Sequence, residues 1–227
     1  MRGNRGGFSA TDLLVSLAGV ALLAAVVVPV VVRAKATSRL ELCVSNVKQV
    51  NRAVLEFAEE HNRQLPNMEG SPAPGGWWYY KEQVKGHLGL KGESSAGDKV
   101  FGCPDDRGYG EGSEHPQPFR RMKKYNFTSY VFNGVNLPGV PNISGREIGS
   151  IKEPSRTLLV MEWTAHAPLS WHHSLTRSAN TPFYNDAESV VGFVDGHVAN
   201  TKIYYDGINA AYTRDPAPGY HYKYSGD

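Results

Sequence analysis

Three groups of side chains in this chain have the types that site chemistry needs. The first is a candidate metal-ligand set, Glu162, Asp195 and His197, together with His166, His172 and His173. A carboxylate beside imidazoles can hold a divalent transition metal if the fold gathers them. Their spacing meets no metal-binding pattern, and Asp195 reads as a turn residue and His197 as an exposed strand residue instead, so no metal or other cofactor is assigned. His172 and His173 are adjacent, which on a strand would send them to opposite faces. The second group is acidic: Asp105-Asp106 and the pair Asp186 and Glu188 are calcium-type ligands, but neither sits in an oxygen-rich loop pattern, and both read as solvated surface. The third is the cysteines. Cys43 and Cys103 are the only two, sixty positions apart, with no C-x-x-C pair for a zinc knuckle or a redox motif. They read either as a disulfide contributing about 4 kcal/mol by loop closure or as two reduced, buried thiols. No nucleophile elbow, Walker loop, H-E-x-x-H helix or G-x-G-x-x-G turn occurs, so the sequence reads as a non-enzyme.

The segments that must position these residues fall into two parts. After Pro66 the chain changes to NMEGSPAPGGWWYY, a Pro/Gly/Ser loop ending in the aromatics Trp77 to Tyr80. A short helix is predicted over Tyr79 to Leu90, followed by an irregular stretch carrying Cys103-Pro104-Asp105. Strand signals recur at Ser129 to Asn133, Thr157 to Trp163, Val190 to Val194 and His197 to Tyr205. Asp195-Gly196 between the last two predicts a two-residue hairpin with a type I′ turn. The aromatics Trp77 to Tyr80, with Tyr204, Tyr205, Tyr212, Tyr220, Tyr222 and Tyr224, read either as a stacking surface for a glycan or partner or as core.

The first sixty residues behave differently. Leu13 to Val32 reads LLVSLAGVALLAAVVVPVVV, twenty uncharged residues that as a helix match the roughly 30 Å hydrocarbon core of a bilayer. A conventional secretory signal competes, with Arg2 and Arg5 as its basic start and Ala34-Lys35-Ala36 as its cleavage site. The apolar run is too long for such a signal, the site lies among Arg33, Lys35 and Arg39, and helical periodicity runs on past it. Leu40, Cys43, Val44, Val47, Val50, Val54, Phe57 and Ala58 recur every three or four residues, with charges between them. One helix of about fifty residues is predicted, first apolar all round and then amphipathic, with a bend at Pro29. The net charge of +2 comes from Arg2 and Arg5, and a chain starting at Phe8 would hold 22 basic against 22 acidic residues. That balance argues against an electrostatic nucleic-acid binder.

The stretch GGFSATDLLVSLAGVALLAAVVVPVVVRAKATSRLELCVSNVKQVNRAVLEFAEEHNRQLP resembles the class III signal and N-terminal helix of type IV pilins and type II secretion pseudopilins. It is most similar to the pilin-like proteins of planctomycetes and verrucomicrobia. In that family a prepilin peptidase cuts after the glycine, here Gly7, and methylates the new N-terminus, here Phe8. An acidic residue stands at the fifth mature position, where Asp12 replaces the family's usual Glu. Its assigned role is to sit near the charged N-terminus of a neighbouring subunit inside the membrane, where an unpaired charge costs several kcal/mol. The resemblance continues in Cys103-Pro104, in Ser129-Tyr130 with Asn133, in Pro154-Ser155 with Thr157 and Glu162, and in FVDGHV from Phe193 to Val198. The family's histidine, separated by nine residues from Asp195-Gly196, is replaced by Asn185.

The resemblance implies an α+β fold, a long N-terminal helix on a small antiparallel sheet. It also implies a leader over residues 1–7, a membrane-spanning helix over 8–36, an amphipathic continuation over 37–65 and a head over 66–227. The expected role is a structural subunit processed by prepilin peptidase and assembled with other pilin-like subunits from the inner membrane, its head periplasmic or extracellular. The alternative from a different class is a membrane-anchored binding module for a carbohydrate or metal, using the same anchor. An anchored hydrolase rests on no motif.

Overall fold

The computed structural model describes residues 10–71, 76–110, 113–167, 169–172, 184, 186–205 and 214–227. It divides into two compact units, Met1–Ser38 and Arg39–Asp227. A single 51-residue helix, α1 (Ala10–Glu60), crosses that division and contains Pro29. Its apolar first half is treated with the candidate site below.

In the second unit α1 buries one face. Cys43, Val47, Val50, Val54 and Ala58 are fully covered, at the three- and four-residue steps that place them on one side of a helix. Leu40, Val44 and Phe57, expected on the same face, are partly buried against the same core. Each fully buried valine contributes on the order of 1.5–3 kcal/mol by removal from water. The helix stops at Glu60, short of Leu65, because Asn62 and Arg63 both take left-handed backbone angles, with φ of 53° and 63°. The chain then turns back, and the Leu65 N–H reaches the Arg146 carbonyl at 2.9 Å.

Four antiparallel strands form one sheet in sequence order: β1 (Tyr130–Phe132), β2 (Leu158–Glu162), β3 (Ala187–Phe193) and β4 (Val198–Ile203). The α+β arrangement expected from the sequence is therefore present. Every residue of β2 is buried. A strand buried on both faces must be covered from both sides, which is why TLLVMEW reads as a continuous apolar run and not as an alternation. β4 alternates partly exposed and exposed residues before Ile203, as an edge strand does. The free side of β1 is met by the aromatic run, since the Phe132 N–H donates to the Trp77 carbonyl at 2.9 Å. The predicted helix after that run is shorter than expected: α2 covers Tyr80–Val84, and a 3-10 turn carries on through Leu88.

The β3–β4 hairpin is present with a different turn. The Phe193 N–H donates to the His197 carbonyl and the Gly196 N–H to the Phe193 carbonyl, enclosing three residues. Positive φ falls on Gly196 alone in this turn, at +95°, so it is a type I turn with a glycine bulge and not the predicted type I′.

α1 lies close on the sheet at one point. Asn51 Nδ2 donates to the Phe193 carbonyl at 3.0 Å, and a Cβ added at Gly192 would come within 2.5 Å of Asn51 Oδ1. Only glycine leaves room for the helix there. Gly192→Ala should destabilise the protein by about 1–3 kcal/mol through overpacking. Urea unfolding should show a lower midpoint, partly restored by adding Asn51→Ala, and an unchanged midpoint would remove the close approach as a constraint.

Candidate functional site

Two places in the structure draw together residues singled out from the sequence. One is the first half of α1. Asp12 sits in its first turn, at the end where the helix dipole favours a carboxylate. From Leu13 to Val32 the large apolar side chains are between 43% and 72% exposed. An 18-residue window of this helix has a mean hydropathy of 2.7 and none of it is buried. The helix is thus long and apolar enough to cross a membrane once. Gly7 and Phe8 lie outside the described residues.

The other place is where α1 meets the loop after α2. α1 presents Cys43 on its buried face, and the 3-10 turn Lys99–Phe101 delivers Cys103, with the two Cα atoms 5.1 Å apart and the sulfurs joined as a disulfide. Of the two readings of the cysteines, the disulfide is the one present. Asp106 fixes the loop that carries Cys103. Its carboxylate is buried and accepts from the N–H groups of Gly108, Phe119 and Arg120 and from the Ser129 hydroxyl. The Cys103 N–H is held in turn by Ser129 Oγ at 2.9 Å. Burial pushes the Asp106 carboxyl above its ordinary value, against the pull of these four donors.

Beside the disulfide, three side chains distant in sequence converge. His172 Nε2 lies 2.8 Å from Glu162 Oε1 and 3.8 Å from Cys103 Sγ, while His172 Nδ1 lies 3.2 Å from Asp105 Oδ2. Glu162, the last residue of β2, takes the Val190 N–H on its other oxygen at 2.8 Å. The His172 and Glu162 side chains are 2% and 0% exposed. Asp105 continues outward to Arg39 at 3.3 Å, an ion pair whose arginine is more than half exposed and so contributes little. His172 is placed by its own loop. Arg107 donates to the carbonyls of Ser170 and Trp171, and the Trp171 indole donates to the Gly108 carbonyl at 2.8 Å.

Burial alone would lower the His172 pKa. The hydrogen bond to Glu162 and the charges of Glu162 and Asp105 outweigh it and hold the imidazole above its ordinary value. The two acidic side chains thus favour the charged form of the imidazole, and both of its ring nitrogens have partners. Asp105, His172 and Cys103 stand in the order of a thiol triad. Cys103 is nevertheless fully buried and oxidised, and so presents no thiolate.

Of the metal set drawn from the sequence, Glu162 and His172 come together and the other described members do not. Glu162 is held at the Val190 level of β3, whereas Asp195 and His197 lie beyond the other end of that strand, paired with each other at 2.6 Å on the hairpin. That separation follows from the antiparallel register, in which the end of β2 faces the middle of β3. His166 is buried against Trp77 and Tyr224, with ring centroids 3.8 and 6.1 Å away, and burial takes its pKa down to about 3. His173 and Asn185 lie outside the described residues. The two acidic pairs are also divided. Asp105 turns toward the His172 imidazole and Asp106 toward Ser129, Asp186 accepts from the Tyr220 hydroxyl, and Glu188 accepts from Asn200 across β3–β4.

The aromatics resolve as core. Trp77, Tyr80, Tyr222 and Tyr224 are buried, and Trp78, Tyr125, Phe119 and Trp163 stack among themselves. Tyr204, Tyr205 and Tyr220 are partly buried, and Tyr212 lies outside the described residues. Glu162 and His172, two members of the set read from the sequence, do meet; Asp105 as their partner was missed. The one usable signal was the closeness of Asp105 to Cys103. No family model matches the chain, and neither a curated protein nor a solved structure does.

Proposed function

We propose that this chain is a pilin-like structural subunit: cut between Gly7 and Phe8 by a prepilin peptidase, held in the inner membrane by the first half of α1, and assembled through that helix with other pilin-like subunits. The observation that carries the reading is the uncovered apolar helix. Twenty uncharged residues continue, as one helix, into a face that a disulfide-bonded α+β head covers. Lipid and neighbouring copies of the same helix satisfy such a surface, since packing and not catalysis is what a bare apolar helix supplies. Asp12 is the acidic residue of that helix's first turn, and in this reading its carboxylate meets the charged N-terminus of a neighbour. The head then faces the periplasm or the exterior, where a disulfide persists.

Co-expression with a prepilin peptidase tests this. Intact-mass measurement should show a mature chain starting at methylated Phe8, and Gly7→Val should leave the leader in place. A chain that starts at Phe8 in cells lacking the peptidase would refute the reading.

A further inference from the structure

We propose that reduction of Cys43–Cys103 turns the buried cluster into a binding site for a zinc-class divalent cation, with both cysteine thiolates, His172 Nε2 and the Glu162 carboxylate as its ligands. Four residues of metal-ligating type contribute one donor atom each here, and the donors lie within 4.8 Å of one another. With zinc–sulfur bonds of about 2.3 Å and zinc–nitrogen bonds of about 2.0–2.1 Å, a tetrahedral ion needs donors roughly 3.3–3.8 Å apart. His172 Nε2 and Cys103 Sγ already stand at 3.8 Å. Nε2 and Glu162 Oε1, at 2.8 Å, must open by about half an ångström to admit the ion. Parting the two sulfurs places it where the S–S bond was.

The groups behind these donors are arranged as a metal site requires. Asp105 Oδ2 faces His172 Nδ1 at 3.2 Å, which puts the proton on Nδ1 and leaves the Nε2 lone pair for the ion, the carboxylate–histidine–metal relay. The second oxygen of Glu162 is anchored by the Val190 N–H, so the carboxylate is oriented before any ion arrives. Two thiolates and an imidazole select zinc over calcium or magnesium, which prefer all-oxygen shells. The ion would tie α1 to the loop at the same point as the disulfide does.

The balance is simple. A dithiol reductant passes two electrons and two protons to the disulfide and is itself oxidised to a disulfide, leaving two thiols. Zinc binding releases both thiol protons and displaces the proton shared between His172 Nε2 and Glu162.

The test uses the full chain in detergent, either oxidised or reduced with a phosphine that does not bind metal. Zinc titration should give one ion per reduced chain, at least about 100-fold tighter than for the oxidised chain, and cobalt should give a thiolate charge-transfer band. Asp105→Asn should weaken zinc binding by about 10–100-fold while keeping all four ligands. If the reduced chain unfolds without zinc, recovery of its cooperative thermal transition on adding zinc supports the site. Equal zinc affinity in both redox states overturns it, as does unchanged affinity in reduced His172→Gln.

Discussion

Glu162→Ala should lower the unfolding free energy of the oxidised protein by about 3–5 kcal/mol, because it removes one partner of a buried ion pair and leaves the other without its charge. His172 would keep only Asp105, which is nearer to solvent, and the Val190 N–H would lose its acceptor inside the protein. Removing Glu59, whose pairing with Arg63 is at the surface, should cost no more than about 1 kcal/mol. Urea denaturation of both variants measures the contrast, and similar losses would show that the buried cluster contributes nothing special.

The same pair sets a pH dependence. Because the folded protein raises the His172 pKa, it holds that proton to a higher pH than the unfolded chain does. The resulting stability is complete below the ordinary histidine value of about 6.5 and is lost as pH rises through the folded value. His115 and His166, both pushed down by burial, act on the acid side of about 6.5 and are neutral in either state above it. Lys81, also lowered by burial, works in the opposite direction on the alkaline side but is unchanged in the variant. The difference between wild type and Glu162→Ala should therefore shrink as pH rises above neutrality, and a difference independent of pH would mean that His172 is not charged.

The second large effect concerns the apolar half of α1. Leu22→Arg with Val26→Arg puts two charges on one face of the span, at an insertion cost of about 2.5–3.5 kcal/mol each near the helix centre. The doubly substituted chain should pass from the carbonate-resistant membrane fraction to the soluble one. Purified and oxidised in vitro, it should still form its disulfide, since Cys43 and Cys103 belong to the other compact unit. Retention in the membrane would show that something other than this helix anchors the chain.

What could be read from the sequence follows the range of each interaction. The buried face of α1 was legible because Cys43, Val47, Val50 and Val54 repeat at the pitch of a helix, a pattern confined to neighbours. The strands were legible for the same reason. The position of the hairpin could be read from Asp195-Gly196, but not its turn, since the loop length is set by how β3 and β4 pair, with Val191 opposite Ala199. β3 also starts earlier than Val190, at Ala187, because Glu188 gains Asn200 as a cross-strand partner. The cluster was legible only in part: Glu162 and His172 stood among the candidates, but their meeting with Asp105 did not show. Asp105 and His172 are 67 residues apart, and Asp105-Asp106 looks like a solvated pair until the loop turns one carboxylate inward and the other toward the imidazole. The four successive aromatics read equally as a binding surface or as core, and packing decided for the core, with Trp77 and Tyr80 buried and Trp78 and Tyr79 partly buried against it.

The disulfide also decides how the molecule carries mechanical tension. A pull applied through the first half of α1 reaches Cys43 early in the head. If the opposing grip lies anywhere after residue 103, the covalent bridge passes the load straight to Cys103. The fifty-nine residues between them, including the rest of α1 and its packing against Gly192, then sit outside the load path. The reduced protein would bear the same force by peeling the helix from the sheet, so reduction should convert a stiff link into an extensible one.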